Sequence, residues 1–564
     1  MRNVMTIAAT FAVCTWASAS LAAIPAHYIV FEFDADGRAV PVFLADVELA
    51  AARNDIVASP RASDTEIERV AWRAIRDGVA GPLREVEVPR FLRAEFAHDV
   101  DTGLGTIDAH RVETHDRSFV LRVAHEDAES VELVTDAGVQ YFDLAALTAT
   151  RYSLPLAAHA PAQLGREVGV HAVNSGNRLD ILVLGDGYTS AQQAVFNTHA
   201  AALRTAMFAV TPYREYENFV NWQTGFVSSV QSGSDHPPFQ AGCTTTSCCA
   251  DTAAQSGPAA GTFVNTALDG RFCTSQIHRL LTVSSSKVFA AAAAYPDWDK
   301  ILVTVNDPLY GGAGGNYAVT SAAAQAAFIV IHEFGHSFHG LADEYSTPFP
   351  GFPACSDVSA GPVCEANVTN QTSANLVKWR SWFTPGNPIP TPGGTAGIGL
   401  FEGARYLTSG MYRPVNSTCL MRSLGTTFCP VCRQEYVKKL YRGGFGVPSA
   451  GIDMIEPNSQ SPANSVAVPY AVGSTRLFGA TVLRPTIGSV AVRWYLDGSP
   501  IAGATSDTYM FSQLAATPAT RMLELRVVDQ TAFVNATMAD GLLVHSRTWT
   551  IQIGNDLLFA DGFQ

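Results

Sequence analysis

The sequence predicts a multidomain chain with a β-rich N-terminal domain, a central α/β domain and a C-terminal β-sandwich. Three observations lead to this prediction. The chain has 564 residues, which exceeds the length over which a single hydrophobic core usually grows. The pattern of apolar residues changes from alternating to continuous near Asn174, and it alternates again in the last hundred residues. All cysteines after the N-terminal leader lie between Cys243 and Cys432, inside the predicted central domain.

The composition is that of a folded, acidic protein. Hydrophobic residues make up 47% of the chain and charged residues 16%, which excludes a disordered, highly charged polymer. Lys and Arg number 37 against 51 Asp and Glu, so the formal net charge is −14. This balance argues against a nucleic-acid partner and against docking on anionic lipid, because both require clustered positive charge.

Residues 1–22 have the features of a secretory signal peptide. Arg2 precedes an apolar, alanine-rich run from Val4 to about Ala17, and small residues follow up to Ala22. The run is shorter than the roughly 20 apolar residues that a membrane-spanning helix needs. We therefore expect a secreted protein, extracellular or periplasmic, without a membrane anchor after signal cleavage.

The N-terminal domain is predicted over residues 23–165. Apolar and polar side chains alternate in segments such as Tyr28–Phe33 and Ser118–Val123, and turn residues separate the segments. A period of two is typical of strands with one buried face. We therefore expect a small β-rich domain without identifiable chemistry.

The central domain is predicted over residues 166–448. Leu179–Leu184 is a continuous apolar run, typical of a strand that is buried on both faces. A helical pattern follows from about Ala191 to Val210, and Lys300–Val305 is a second buried strand. Strands that alternate with helices predict an α/β layer structure.

The C-terminal domain is predicted over residues 449–555, with a short tail over 556–564. Strand-length runs occur at Ser489–Leu496, which contains Trp494, and at Met522–Asp529. Regular short strands around a central Trp predict an immunoglobulin-like β-sandwich without its disulfide. A substrate-targeting module and a spacer both fit this pattern.

Nine cysteines remain once the predicted signal peptide is removed. In an exported protein the default state of cysteine is a disulfide. The Cys429-Pro430-Val431-Cys432 pair also fits zinc or redox chemistry, but no second such pair accompanies it, so we expect a structural disulfide role there as well. The odd number leaves at least one thiol without a partner in the chain. The nine are Cys243, Cys248, Cys249, Cys273, Cys355, Cys364, Cys419, Cys429 and Cys432.

The segment Ser321–Tyr345 is the most informative about function. Its first half is rich in alanine and contains neither Pro nor Gly, which predicts a helix. On that helix His332 and His336 stand four residues apart, so both rings project from one face and can bind one zinc ion. Glu333 is placed to take a proton from a water molecule that the zinc activates. The pattern predicts one catalytic zinc, with Glu333 as general base.

A third protein ligand is expected just after the helix. Gly340 can adopt a positive φ and end the helix, so that the chain reverses toward the metal. Asp343 then follows His336 by seven residues and is the first choice for the third ligand. The alternatives left open are Glu344, His339 and Glu402.

Several separated motifs carry a family resemblance. They are HEFGHSF-x-GLADEY from residue 332, LFEGARY at 400–406, MYRP at 411–414, and CLMR followed by FCPVC from residue 419, with LDILVLGDGYT at 179–189 and YGGAGGNYAV at 310–319 upstream. In this order they resemble the bacterial IgA-peptidase family of zinc metalloendopeptidases, metallopeptidase family sixty-four. The resemblance covers about residues 170–445.

The resemblance implies a metzincin-like catalytic domain that binds zinc through His332, His336 and an acidic third ligand. It also implies Glu333 as the catalytic base and Met421 as the methionine of a tight turn below the metal. The spacing departs from the wider metzincin pattern, since Gly340 and the third ligand each come one residue later. Nothing in these residues requires immunoglobulin A as the substrate.

We therefore expect a secreted zinc-dependent metalloendopeptidase that hydrolyses protein or peptide substrates and is a monomer. Substrate is expected to bind as an added strand beside Val303–Asn306. Tyr345, Tyr412 and Arg413 are candidates for stabilising the oxyanion. The alternative is a non-catalytic binding or adhesion protein with a structural metal site. Such a site is normally closed by four protein ligands, often cysteines, and no cysteine is near His332 in sequence.

Overall fold

The computed structural model describes residues 23–50, 67–150, 175–256, 259–349, 352, 354–358, 363–443, 451–517, 519–535 and 541–554. The predicted signal peptide, the predicted C-terminal tail and the predicted domain boundaries at 165/166 and 448/449 lie outside these residues. The domain division therefore stays a prediction. Within the described residues the chain forms 25 strands and five α-helices, and no helix there combines the length and the hydropathy needed to cross a bilayer.

The N-terminal part is β-rich, as the alternating pattern predicts. Its elements are β1 (Ile24–Phe33), β2 (Ala39–Leu49), β3 (Ile67–Arg76), β4 (Val79–Ala80), β5 (Arg84–Pro89), β6 (Phe91–Asp99), β7 (Leu104–Glu113), β8 (Ser118–Ala124), β9 (Ser130–Thr135), β10 (Gly138–Asp143) and helix α1 (Leu144–Thr150). One sheet has the order β2-β1-β8, and a second has the order β10-β9-β3-β4 with β5 paired to β3. Ile29 and Phe31 of β1 face a core shared with Trp72 of the second sheet, whereas Tyr28 and Val30 join the core of the central part.

The central part is an α/β structure around one mostly parallel sheet. Its elements are β11 (Leu179–Asp186), α2 (Gln193–Phe208), β12 (Val220–Gly225), α3 (Ser285–Ala292), β13 (Lys300–Val305), β14 (Gly312–Ala313), β15 (Ala318–Ser321), α4 (Ala327–Ser337), β16 (Phe401–Ala404), β17 (Leu407–Arg413), β18 (Ser423–Leu424) and α5 (Pro430–Arg442). The sheet order is β12-β11-β13-β15-β14, and β14 alone runs antiparallel to its neighbour. The two predicted buried strands and the predicted helix after the first of them are confirmed.

Two details of this sheet differ from the sequence-based expectation. Ser321 ends β15, where it pairs with Val305, so α4 begins only at Ala327. The expectation that substrate adds beside Val303–Asn306 is wrong, because β13 is hydrogen-bonded to β11 on one side and to β15 on the other. The outermost strand on the side of helix α4 is β14.

The C-terminal part consists of strands β19 (Val468–Ala471), β20 (Thr475–Gly479), β21 (Val490–Leu496), β22 (Ser499–Pro500), β23 (Thr508–Ser512), β24 (Thr520–Asp529) and β25 (Val544–Gly554). They form a sheet of order β19-β25-β24-β21-β22 and a two-stranded sheet of β20 and β23. The buried rings of Trp494 and Trp549 stack with centroids 5.6 Å apart, and Phe478 of the smaller sheet meets Trp549 edge-on at 5.7 Å. The two sheets therefore share one core, and the immunoglobulin-like assignment stays a prediction.

Six of the cysteines form disulfides, which confirms the predicted oxidised state for them. The pairs are Cys243–Cys248, Cys249–Cys273 and Cys355–Cys364. Cys419, Cys429 and Cys432 are buried free thiols. The expectation of a disulfide role for Cys429 and Cys432 is wrong, because their sulfur atoms lie 3.5 Å apart, well beyond the bond length of about 2.05 Å.

The β6–β7 hairpin of the N-terminal part lies against the central part close to α4. At one edge Arg93 of β6 forms an antiparallel bridge with Gly314, just beyond β14, through two N–H···O bonds of 2.9 Å. At the other edge Thr106 of β7 pairs with Ser423 of β18. Backbone hydrogen bonds therefore hold the hairpin to the central part on both sides.

Candidate metal centre and active site

Helix α4 presents the two predicted histidines on one face. Its opposite face is anchored in the core by Val330 and Phe334, both of which are buried. The His332 ring is fully buried, and the Nε2 atoms of His332 and His336 lie 3.1 Å apart. The spacing of four residues brings both ring nitrogens to one point, as the sequence predicts.

Backbone carbonyls set the orientation of both rings. Nδ1 of His332 donates to the carbonyl of Leu420 at 2.9 Å, and Nδ1 of His336 donates to the carbonyl of Leu341 at 2.8 Å. A ring that carries its proton on Nδ1 has a lone pair on Nε2. The two Nε2 lone pairs therefore face the same volume, which is the arrangement that metal-binding histidines usually have.

The chain reverses directly after α4 at Gly340. This glycine has φ +69°, and its N–H donates to the carbonyl of His336, so a residue with a side chain would be strained there. The reversal brings Asp343 to the histidines, with Oδ1 3.2 Å from Nε2 of His332 and 3.1 Å from Nε2 of His336. Oδ1 is buried, and within the described part of the chain it has no hydrogen-bond partner, which fits a cation at this point.

The three other candidates for the third ligand point elsewhere. Nε2 of His339 bonds with the hydroxyl of Tyr213 at 2.9 Å inside a cluster of aromatic rings. Oε1 of Glu344 lies 3.3 Å from the sulfur of Cys432. Oε1 of Glu402 accepts the N–H of Gly410 in the β16–β17 pair. Of the four alternatives, Asp343 is the one beside the histidines.

A fourth side chain in this group was not expected from the sequence. Glu95 of β6 is 1% exposed, and its Oε2 lies 2.8 Å from Nε2 of His332 and 3.5 Å from Nε2 of His336. Glu95 precedes His332 by 237 residues, in a region without any recognisable motif. The region around Glu95 is predicted to be β-rich, but the docking of β6 on α4 could not be read from the sequence.

The four donor atoms fit a tetrahedral cation. One ligand atom from each of Glu95, His332, His336 and Asp343 lies within 4.8 Å of all the others. The separations of 2.8–3.5 Å given above compare with about 3.4 Å for ligands at 2.0–2.2 Å from a zinc-like ion. Two imidazoles and two carboxylates are a donor set suited to such a metal.

The electrostatics of the group also favour positive charge. Burial lowers the pKa of His332, but the carboxylates of Glu95 and Asp343 raise it by more than burial lowers it. The net result is a pKa well above the ordinary value. Burial acts on Asp343 in the opposite direction, yet the two histidines hold its pKa below the ordinary value. The carboxylates thus stay ionised beside the ring nitrogens.

Glu333 lies next to this group without joining it. It is 3% exposed, and its Oε1 has no hydrogen-bond partner among the residues the structure describes. Burial, together with the negative charge of Glu95, raises the pKa of Glu333 to about 8. Its carboxyl group packs on Gly314, where a Cβ would overlap it, so the glycine leaves room for the predicted general base.

Two tyrosine hydroxyls reach the group from its far side. Tyr345 donates to Oε1 of Glu95 at 2.8 Å, and Tyr406 donates to Oδ2 of Asp343 at 2.6 Å. Tyr345 was among the predicted candidates for oxyanion stabilisation, whereas Tyr406 was missed although it ends the LFEGARY motif. Tyr412 and Arg413, the other candidates, bond instead to Glu402 and to backbone carbonyls of the β16–β17 region.

Met421 lies beneath the helix, as the resemblance implies. It is fully buried, and a Cβ placed on Gly335 of α4 would lie 2.6 Å from its sulfur. The preceding residue, Leu420, supplies the carbonyl that holds His332, and Met421 itself accepts the N–H of Glu344. This turn therefore supports both the helix and the segment that carries Asp343.

A cavity of about 550 Å³ lies beside Ala313 of β14 and the adjoining Gly314. Its lining includes Leu92 of β6, Gly314, Tyr317 and Arg271, together with three threonines at 244–246. The cavity runs between the N-terminal β6–β7 hairpin and the central sheet, beside Gly314, whose backbone pairs with Arg93.

The comparisons with known proteins give one informative match. Residues 170–397 match the family described as IgA Peptidase M64. No protein of curated function matches the chain. A nucleoside hydrolase-related hypothetical protein from Saccharophagus degradans, associated with carbohydrate metabolism, is 10% identical over 67% of this chain and 100% of its own, with a TM-score of 0.15, which is too low to carry an argument.

The matched region contains the helix with both histidines, Glu333 and the segment with Asp343, whereas Glu95 precedes it and Met421 follows it. Of the motifs that resemble the family, the one that begins at His332 supplies three of the four side chains of the buried group. Residues 170–397 therefore carry a domain of the IgA peptidase M64 family of metallopeptidases.

Proposed function

We propose that the protein is a secreted, zinc-dependent metalloendopeptidase that hydrolyses peptide bonds of protein substrates. The observation that carries this proposal is the convergence of two Nε2 atoms and Oδ1 of Asp343, all within 3.2 Å of one another. Beside them lies the buried Glu333, whose Oε1 has no hydrogen-bond partner in the described part of the chain. The family supports a peptidase and implies a metal. Zinc is the ion whose ligand preference and tetrahedral geometry best fit this donor set.

In the proposed site His332, His336 and Asp343 hold the zinc. When bound, such an ion lowers the pKa of a coordinated water to about 7 and polarises a carbonyl group. The carbonyls of Leu420 and Leu341 keep the two rings in the binding orientation. Tyr406 performs the same task for the carboxylate of Asp343.

Glu333 moves the proton in the proposed reaction. Its carboxylate accepts a proton from the attacking water as the new C–O bond forms, and then donates it to the nitrogen of the leaving amine as the C–N bond breaks. A pKa raised by burial suits a group that must accept and return a proton near neutral pH. The pocket made by Gly314 keeps the carboxyl group close to the substrate edge.

Tyr345 is the proposed oxyanion donor. Its hydroxyl now donates to a carboxylate oxygen of Glu95, which shows that a negatively charged oxygen can be stabilised at that point. A donor aimed at the developing charge of a substrate carbonyl is worth about 10²–10³-fold in rate. Substrate would pair with the backbone at Gly314, just beyond β14, as an extended, antiparallel strand, in place of the expectation beside β13.

The remaining parts of the proposal concern the whole chain. Three disulfides support an oxidising compartment, in line with the predicted signal peptide, and we propose that the mature protein is a monomer. The Trp-centred C-terminal strands support an immunoglobulin-like sandwich. Its aromatic and carboxylate contacts with the central part, such as Tyr441 to Asp529 at 2.7 Å, favour a fixed appendage.

One observation favours the alternative of a non-catalytic protein with a structural metal. Four side chains meet at the candidate centre, and structural zinc sites are usually closed by four protein ligands. Under that alternative Glu95 is a permanent ligand and Glu333 has no chemical task. The two functions therefore differ in what the replacement of Glu333 does.

The test compares zinc content and cleavage of casein in the intact chain and in the Glu95→Ala chain. The intact chain should hold about one zinc more than a His332→Ala, His336→Ala double variant. In both backgrounds Glu333→Gln should keep that zinc and lower casein cleavage by about 10²–10⁴-fold. Glu333→Gln variants that cleave casein as fast as their parents would refute the proposed function.

A further inference from the structure

A second group of metal-binding side chains lies on the other side of the segment 343–345. Cys419, Cys429, Cys432 and Glu344 each offer a ligand atom, and these four atoms lie within 4.8 Å of one another. All four residues are buried. The candidate active site uses none of them.

The separations match a tetrahedral thiolate site. The sulfur of Cys432 lies 3.6 Å from that of Cys419 and 3.5 Å from that of Cys429, and Oε1 of Glu344 lies 3.3 Å from Cys432 and 4.0 Å from Cys429. Sulfur atoms bound at about 2.3 Å to one tetrahedral zinc are separated by about 3.8 Å. The four atoms therefore surround a volume of the right size for one ion.

The chemical state of these cysteines is hard to explain without a metal. The other six cysteines of the described chain are in disulfides, so the protein is adapted to an oxidising compartment. Cys429 and Cys432 form a Cys-x-x-Cys pair with sulfurs close enough for a small movement to join them, yet both stay thiols. Coordination to a metal protects thiolates in this arrangement. In addition, Oε2 of Glu344 is buried and has no hydrogen-bond partner within the described residues.

The local fold supports negative charge at this point. Cys429 is the N-cap of α5, and Pro430 occupies its first turn, so the positive end of the helix dipole faces the thiolates. Arg422 donates to the backbone carbonyl of Glu344 at 2.7 Å. A site of three thiolates and one carboxylate is thus partly neutralised by the protein before an ion enters.

We propose that Cys419, Cys429, Cys432 and Glu344 bind a second, structural zinc ion. The ion joins three elements that the active site depends on: the turn that carries Met421, the start of α5, and the segment in which Glu344 directly follows Asp343. With four protein ligands the site is closed to water and substrate.

The unmodified chain tests this proposal first. Purified with zinc, it should contain about two zinc ions, and X-ray absorption at the zinc edge should show sulfur at about 2.3 Å. The His332→Ala, His336→Ala double variant should keep about one zinc with a shell dominated by sulfur. A zinc spectrum without sulfur in both proteins would overturn the proposal.

Thiol counting and cobalt substitution give two further readouts. After unfolding in a chelator without reductant, three thiols should react; a single reactive thiol would mean that two of these cysteines form a disulfide and would overturn the proposal. Bound Co²⁺ should show thiolate-to-metal charge-transfer absorption, which Cys432→Ser should abolish or strongly weaken. The matched control is a Cys355→Ser, Cys364→Ser double variant, which removes the buried disulfide at these positions and should leave that absorption unchanged.

A different observation concerns the strand that carries Glu95. Strand β6 occupies the edge at which substrate is proposed to bind, through the Arg93–Gly314 bridge, and the carboxylate two residues later reaches both histidines. Pairing along an outer strand is how many peptidases bind extended peptides. The hairpin thus combines a substrate-like backbone with a ligand for the open position of the metal.

We infer that β6 is an inhibitory segment that keeps the intact chain latent, with Glu95 in the place of the water that the reaction needs. This inference rests on the proposed function. The hydrogen bond from Tyr345 to Glu95 and the pairing of β7 with β18 strengthen the closure. Because the segment belongs to the same chain, its effective concentration is high, of the order of mM.

The test replaces Glu95 with Ala and uses three readouts. The variant should bind a peptide hydroxamate at least tenfold more tightly than the intact chain, cleave casein at least tenfold faster, and show the cobalt spectrum of a site with an added water. Asp108→Ala on β7 is the control, since Asp108 is an exposed partner of His98 and should change none of these.

The outcomes separate the two proposals. Equal hydroxamate affinity and an unchanged cobalt spectrum in the intact chain and in Glu95→Ala would overturn the inhibitory role. A changed spectrum and tighter hydroxamate binding without any casein cleavage would support the inhibitory role and count against the proposed peptidase function.

Discussion

The pocket that Gly314 makes for Glu333 allows a sharp test of the proposed general base, through Gly314→Ala. The backbone there tolerates alanine, since Gly314 is not among the glycines with positive φ. The new Cβ would lie 2.7 Å from Oε1 of Glu333 and nearer still to its other two carboxyl atoms. Non-bonded carbon and oxygen atoms keep about 3.3 Å or more apart, so the carboxyl group must move by roughly 1 Å or more.

A displacement of that size sets the expected fall in kcat. A misplacement of about 1 Å lowers rates by about 10²-fold, so kcat for casein should fall by that factor in the Glu95→Ala chain. The zinc content should not change, because the three atoms nearest to the new Cβ all belong to Glu333 and none to a proposed ligand. Overpacking of this kind destabilises a protein by about 1–3 kcal/mol, which leaves it folded at room temperature.

Gly315→Ala is the matched control for this variant. Its Cβ would meet the Cδ2 atom of Leu92 at 3.1 Å, the flexible end of a side chain outside the catalytic group. We expect its kcat to stay within about threefold of the parent, on the scale of an exposed substitution. If Gly314→Ala, with its zinc in place, were as active as Gly315→Ala, the assignment of Glu333 as base would have to be abandoned.

Three further predictions follow from individual contacts. Tyr345→Phe should lower kcat by about 10²-fold with little change in KM, whereas Tyr412→Phe should not lower kcat. Both variants are measured by steady-state kinetics in the Glu95→Ala chain. Equal kcat values for the two variants would show that Tyr345 is not the oxyanion donor. Gly335→Ala should destabilise the chain by about 1–3 kcal/mol and weaken zinc binding, because its Cβ meets the sulfur of Met421 at 2.6 Å. Adding Met421→Ala to this variant should restore part of the lost stability and zinc affinity. Thermal unfolding and zinc titration measure the two effects. Burial raises the pKa of Asp453, but hydrogen bonds from His545 and Arg547 outweigh burial and give a net lowered pKa. The ionised carboxylate therefore stabilises the fold above its unfolded pKa near 4. This contribution is lost as the pH falls through the pKa of the folded state. Asp453→Asn should therefore be less stable in urea than the parent by about 1–2 kcal/mol at pH 6, and the difference should shrink below pH 4; a pH-independent difference would contradict this reasoning.

The sequence predicted those parts of the candidate site that depend on local geometry. Helical spacing brings His332 and His336 together wherever the helix lies, and the glycine after the helix limits where Asp343 can go. The contribution of Glu95 depends on how two distant sheets dock, and no local pattern carries that information. Tyr406 lay in a motif that was recognised, but its direction depends on the β16–β17 pairing.

The expectations of substrate binding beside β13 and of a disulfide role for Cys429 and Cys432 were wrong, and features of the chain argue against each of them. Val303 belongs to a continuous apolar run, and strands with such runs are buried between neighbours, so β13 was a poor candidate for an open edge. The disulfide expectation for Cys429 and Cys432 followed the oxidising compartment alone. The third cysteine ten residues before Cys429 and the acidic Glu344 show why a metal competes with oxidation there, but their proximity exists only in the folded chain.

Asp343 and Glu344 are consecutive, and each belongs to one of the two groups of metal-binding side chains. Their Cα atoms are about 3.8 Å apart, as across any trans peptide bond, so neither centre can relax without moving the other. Under the two proposed metal sites, a chelator that extracts the thiolate-bound ion would abolish hydrolysis while the histidines still hold theirs. Inactivation by chelation is consequently no measure of the histidine centre, and metal analysis must accompany it.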